Sequence, residues 1–127
     1  MAENVTLKIW TPERTVMNKK VYRVVLPYGT KNLTVIEDRA PTSLVISAGV
    51  LQILDEQDNV VSRYFIDNGV ADIADNVCKI STRHFVEYSH IDADKAAQLK
   101  ESEPENAVFY DMIAHYLEAF GRINTTE

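Results

Sequence analysis

With a single cysteine, Cys78, among 127 residues, the chain has no internal disulfide framework and fits a reducing compartment. It also lacks any apolar run near the roughly 20 residues that span a bilayer. The opening residues Met1 to Asn4 have neither the basic start nor the apolar core of a secretory signal. The expectation is an intracellular protein that reaches a membrane only through a partner. Positive charge is scarce as well: 13 basic residues face 19 acidic ones, a formal net charge of -6. Arg14, Lys19, Lys20 and Arg23 lie scattered among acids rather than in a stripe, which argues against a nucleic-acid partner.

The residues of chemistry are thin too. His84, His90, His115 and Cys78 show neither paired-cysteine nor His-x-x-x-His spacing, so no metal site is expected. There is no Gly-x-Ser-x-Gly elbow and no glycine-rich phosphate loop. Asp55, Glu56 and Asp58 crowd a turn, where solvation explains them and no spacing selects an acid/base pair. The chain reads as a protein that is not an enzyme by itself. Its hydrophobic share of 46% is ordinary for a globular protein, and its length suffices for a core without staples.

What the sequence does have is two textures. From Val5 to about Phe85, short runs rich in Val, Ile, Thr and Tyr alternate with turn residues. Val5–Trp10 alternates apolar and polar residues as a half-buried strand does, and Thr11-Pro12-Glu13 ends it because proline cannot continue a ladder. Further strands are read at Thr15–Met17, Val21–Leu26, Leu33–Ile36, Leu44–Ser47, Val50–Leu54, Val60–Ile66, Val70–Ile73 and Val77–Ile80. Pro27-Tyr28-Gly29, Asp55–Asn59, Asp67-Asn68-Gly69 and Asp75-Asn76 read as turns, the third because Asn and Gly accept positive φ. Roughly ten short strands with frequent turns predict an antiparallel β-sandwich over residues 1–88.

After Tyr88 the composition changes. Asp92 is placed to cap a helix over Ala93–Lys100, with Asp94 facing the positive end of its dipole. Ser102-Glu103-Pro104 interrupts that helix and Pro104 suits the first turn of a second. There Val108, Phe109, Met112, Ile113, Tyr116, Leu117 and Phe120 are read as one apolar face, with Gly121 as the stop. Residues 89–127 are therefore expected to form a short two-helix hairpin, giving a mainly β protein with an α appendage.

The order of short motifs carries a resemblance. Val5–Glu13, reading V-T-L-K-I-W-T-P-E, resembles the opening strand of the ATP synthase ε subunit family, which typically ends in T-P-E. Val24–Pro27, V-V-L-P, is similar to that family's third strand. Ala40-Pro41, Leu44 and Gly49-Val50-Leu51 match its A-P-L…G-V-L stretch. Tyr64–Ile73 is similar to F-F-V-S-G-G-F-A-E-V, Asn76–Ile80 to the strand that follows, and Ile91–Ala96 to I-D-x-x-R-A at the first helix. The resemblance covers roughly the first hundred residues and thins after Glu101.

The resemblance implies a non-catalytic rotor subunit of a bacterial F-type ATP synthase. Such a subunit links the γ subunit to the c-ring in proton-driven ATP synthesis, peripherally on the cytoplasmic face of the inner membrane. It implies a γ-facing region at Arg39, Ala40, Pro41 and Leu44, and a ring-facing loop at Gly29, Thr30, Lys31, Asn32, Leu33 and Thr34. It also implies a nucleotide site at Ile91, Asp92 and Lys95, although a capped helix start accounts for Asp92 and no cofactor is expected. The helices are implied to reach the α and β subunits. Asp111 and Glu118, with only Arg122 to offset them, predict weak inhibition of ATP hydrolysis or none. The chain departs from the family at Thr34, at Ile36-Glu37-Asp38 and at Arg39, where glycine, an apolar–Pro–Gly stretch and histidine are usual. Losing Gly and Pro is expected to alter the turn, and Arg39 favours a carboxylate partner. The runner-up is a free-standing sandwich module that binds a nucleotide or other small ligand.

Overall fold

Strict alternation of buried and half-buried residues along Val5–Trp10 makes this segment a strand with Val5, Leu7 and Ile9 inward. In the computed structural model of the chain, residues 4–38 and 40–121 are described. Among them, ten strands form two five-stranded sheets, as the composition predicts. They are β1 (Val5–Trp10), β2 (Thr15–Val21), β3 (Arg23–Tyr28), β4 (Lys31–Val35) and β5 (Thr42–Ile46), then β6 (Gly49–Leu54), β7 (Val60–Ile66), β8 (Gly69–Ala74), β9 (Val77–Thr82) and β10 (Phe85–Glu87). The first sheet has the order β2-β1-β9-β8-β5 and the second β10-β7-β6-β3-β4. Pairings in the first sheet are antiparallel except β1 with β9, which run parallel.

The inward residues of both sheets make one core. Leu7, Ile9, Leu26, Ile46, Leu51, Ile66 and Ile80 are fully buried in it, each contributing roughly 1.5–3 kcal/mol. Cys78 is in the same core, and burial pushes its thiol up to about 12. At neutral pH it is a small apolar side chain, not a nucleophile.

Several strand boundaries differ from the sequence reading, and two of the differences bear on packing. The second strand runs through Lys19 and Lys20 to Val21, because Val21 pairs with Val5 and points into the core. Pro27 and Tyr28 belong to β3 rather than to its turn, with Pro27 opposite Asn32 in edge strand β4.

Residues up to Val86 form one compact unit and those from Glu87 a second. In the second unit, Asp92 caps α1 (Ala93–Ser102), its Oδ1 accepting from the Lys95 N–H at 2.8 Å. A 3₁₀ turn at Pro104–Asn106 leads into α2 (Ala107–Tyr116), and Leu117–Gly121 continues as a π-helical end. The apolar face differs from the expected one. Phe109, Tyr110 and Ile113 are the buried residues of α2, whereas Val108 is 84% exposed. At 100° per residue, Val108 lies on the side of the helix away from the midpoint of those three. The side chain of Phe120 and all of Arg122 lie outside the described residues.

Candidate functional site

Residues Gly29 to Thr34 form the end of a β-hairpin. Gly29 and Thr30 make the turn, Tyr28 pairs with Lys31, and the rest lies on β4. Gly29 adopts φ +62, the left-handed conformation that glycine takes without steric cost. Thr30, Lys31, Asn32 and Thr34 are exposed, and Tyr28 is 49% exposed. Lys31 is the one charged residue from Gly29 to Thr34.

The stretch expected to meet γ leads into β5, the edge strand of the first sheet. Ala40 and Pro41 are exposed, and Arg39 lies outside the described residues. Leu44 is half-buried and packs against the core, so its neighbour Val45 is what β5 presents outward, at 70% exposure. The preceding turn closes through a left-handed residue. Asp38 takes φ 60, and its N–H donates to Asn76 Oδ1 at 2.6 Å. Glu37 Oε2 accepts from Asn4 Nδ2 at 2.6 Å.

Sequence reasoning missed the outer face of the first sheet. Register places Val45 beside Val70, Val70 beside Ser81, and Ser81 beside Trp10. Their chain neighbours Ile46, Ala71, Ile80 and Ile9 are buried, so this row points outward across four strands, roughly 14 Å. Val70 is 47% exposed. At the Trp10 end an open groove of about 370 Å³ is lined by Trp10, Pro12, Asn68, Val70, Ser81 and Arg83 among others. The next row along, Ser43, Asp72, Lys79 and Lys8, is polar. The signal was present as Val45 and Val70 at polar-phase positions of their strands, but only register puts them side by side.

The third expected group sits in the helical unit. Ile91 is buried, Asp92 and Lys95 are exposed, and the Asp92 carboxylate accepts the helix's Lys95 N–H. The hairpin is tied by Lys100 Nζ, which donates to Asp111 Oδ1 at 2.9 Å and holds that carboxyl below its ordinary range. Tyr110 OH donates to Glu103 Oε1 at 3.5 Å. Burial, then the Glu103 charge, pushes this phenol up. No cluster of three or more His, Cys, Asp or Glu suited to a metal occurs among the described residues.

Residues 4–88 match the family described as ATP synthase, Delta/Epsilon chain, beta-sandwich domain. An ATP synthase epsilon chain of Allorhizobium ampelinum is 38% identical over 53 residues, 42% of this chain. The match spans 39% of that relative's length. Two solved assemblies contain similar folds. One is the Euglena gracilis mitochondrial ATP synthase, OSCP/F1/c-ring in rotational state 1, with TM-score 0.66 and 20% identity over 99% of this chain and 82% of that one. The other is the central stalk/c-ring of the Tetrahymena thermophila mitochondrial ATP synthase, with TM-score 0.59 and 16% identity over 87% of this chain and 96% of that one. At such identities these two likenesses concern the fold. The sandwich, its motif order and the match over residues 4–88 agree: the chain belongs to the ATP synthase delta/epsilon chain β-sandwich family.

Proposed function

We propose that the chain is a non-catalytic central-stalk subunit of a bacterial F-type ATP synthase, joining γ to the c-ring. The observation that carries this reading is the family match over residues 4–88. A stalk subunit must pass torque without bending. A two-sheet body with one close-packed core meets that need, because such interiors resist deformation. The outward row of Val45, Val70 and Trp10, with Ala40 and Pro41 at the approach to β5, forms the γ side. The tip from Gly29 to Thr34 meets the ring and, through Lys31, prefers a carbonyl-lined or acidic surface.

Charge supports a weak regulatory role at most. Up to Val86 the chain carries ten acidic and ten basic residues, whereas Glu87 to Gly121 carries eight acidic and two basic. The whole net charge of -6 thus resides in the helical part. Close approach to acidic segments of the catalytic subunits is repulsive for such a hairpin. In this reading Ile91, Asp92 and Lys95 serve the helix start and bind no nucleotide. No described helix is long and apolar enough to cross a membrane, so the subunit is held peripherally through its partners.

The test is removal of the subunit from the assembled enzyme. ATP hydrolysis by the catalytic head is expected to persist while ATP-driven proton pumping is lost, with pumping restored by adding the purified chain. Loss of hydrolysis itself, or pumping that survives removal, contradicts the role.

A further inference from the structure

The hairpin tip belongs to the second sheet and the outward apolar row to the first. Sheets in a sandwich meet through interdigitated side chains, and hydrogen bonds at the crossing between them add to that packing. The turn at Ser47, Ala48 and Gly49, which crosses from β5 to β6, supplies bonds in both directions.

Towards the tip, the Gly29 N–H donates to Ser47 Oγ at 2.8 Å, and the Ser47 N–H donates to the Pro27 carbonyl at 3.1 Å. Gly49 sits so close that an added Cβ would stand 2.9 Å from Pro27 Cβ. Towards the row, the Ala48 N–H donates to Asn68 Oδ1 at 3.0 Å, in the turn between β7 and β8. That turn is itself fixed to β9. The Asp67 N–H reaches Thr82 Oγ1 at 3.1 Å and the His84 carbonyl at 3.2 Å. Thr82 Oγ1 donates to the Asp67 carbonyl at 2.9 Å, and His84 Nδ1 lies 3.1 Å from Asp67 Oδ2. Asn68 and Thr82 both border the groove at the end of the row.

We propose that the turn at Ser47–Ala48–Gly49 is a strut, with Ser47 and Asn68 as positioning residues that fix the β3–β4 tip relative to the outward row of the first sheet. The mechanical consequence rests on the reading that the tip meets the ring and the row meets γ. On that reading the strut lies between the two interfaces, and torque entering at one leaves at the other without loss in a hinge. Either side chain can be cut while the cores stay packed, because both bonds lie at the surface.

Amide hydrogen exchange on the isolated chain is the first arm. Ser47→Ala is expected to speed exchange at the Gly29 amide, and Asn68→Ala at the Ala48 amide, each by about fivefold, the worth of one ordinary hydrogen bond. Ser47→Thr and Asn68→Asp keep an acceptor oxygen and are expected to restore protection. Amides of β1 and β9 should not change, which separates a lost strut from general destabilisation. The second arm uses the assembled enzyme. Ser47→Ala is expected to leave γ binding and ring binding intact while fewer protons are pumped per ATP hydrolysed, with recovery in Ser47→Thr. Unchanged exchange at Gly29 and Ala48 overturns the strut, and faster exchange with unchanged pumping overturns its mechanical role. A wild-type chain that binds neither γ nor the ring overturns the stalk reading instead, and the exchange arm still decides the strut.

Discussion

Gly29 and Gly69 both stand at turns, yet they are required for different reasons. Gly29 has φ +62 and nothing within 4 Å of an added Cβ, so its constraint is conformational. Gly69 has no such angle, but its added Cβ would stand 2.0 Å from the Ser81 carbonyl oxygen. Gly29→Ala should therefore cost roughly 1–2 kcal/mol of folding stability, the strain of a left-handed residue. Gly69→Ala should cost more, about 3 kcal/mol at the upper end of overpacking effects, because backbone atoms of β9 must shift. Urea unfolding of both variants checks the ranking. The sequence correctly marks a turn at Asp67-Asn68-Gly69, but the reason differs. Neither Asn68 nor Gly69 takes positive φ; among the described residues such angles occur at Gly29, Asp38, Asp58, Asp75 and Asn76. Asn68 is used for its side chain, as the acceptor of the Ala48 N–H. A propensity-based reading cannot see this, since the partner lies 20 residues away.

At the level of elements, strands were legible because period-2 alternation is local, whereas faces were not, because they depend on register. β5 illustrates the limit: A-P-L singles out Leu44, yet pleating turns Leu44 towards the core and presents Val45. Val45→Asp together with Val70→Asp should weaken association with γ at least tenfold, as expected for losing the centre of a docking patch. Thermal stability should change little, since both side chains are already exposed. Affinity measured by calorimetry, with a melting curve as control, decides the point. The helical hairpin shows the same division. The Asp92 cap was legible from the residue before the helix, while the buried face of α2 includes Tyr110 and leaves out Val108.

The ion pair of Lys100 and Asp111 gives this hairpin a pH response. Lys100 lowers the Asp111 carboxyl below its ordinary 3.8, so the pair's contribution is complete above that value and lost as pH falls below it. Both side chains are about half exposed, so the contribution is small and salt should screen it. NMR titration of α1 and α2 amides should show an acid transition that weakens at high salt. The part carried by the Lys100–Asp111 pair should be absent in Asp111→Asn, leaving the transition of the Asp92 cap.

Across the whole molecule, charge and topology divide the labour. The sandwich is electrically balanced and carries the family match, while the helical part holds the net negative charge. The change of texture after Tyr88 was legible from composition alone, as was the mainly β architecture. The outward row and the strut were not, because each joins residues from three or four strands that are far apart in the chain. Co-purification of the chain with γ from the same organism, followed by size-exclusion chromatography of the pair, tests whether this sandwich is a stalk subunit. A stalk subunit gives a single stoichiometric complex at micromolar concentration; two separate peaks would contradict that role.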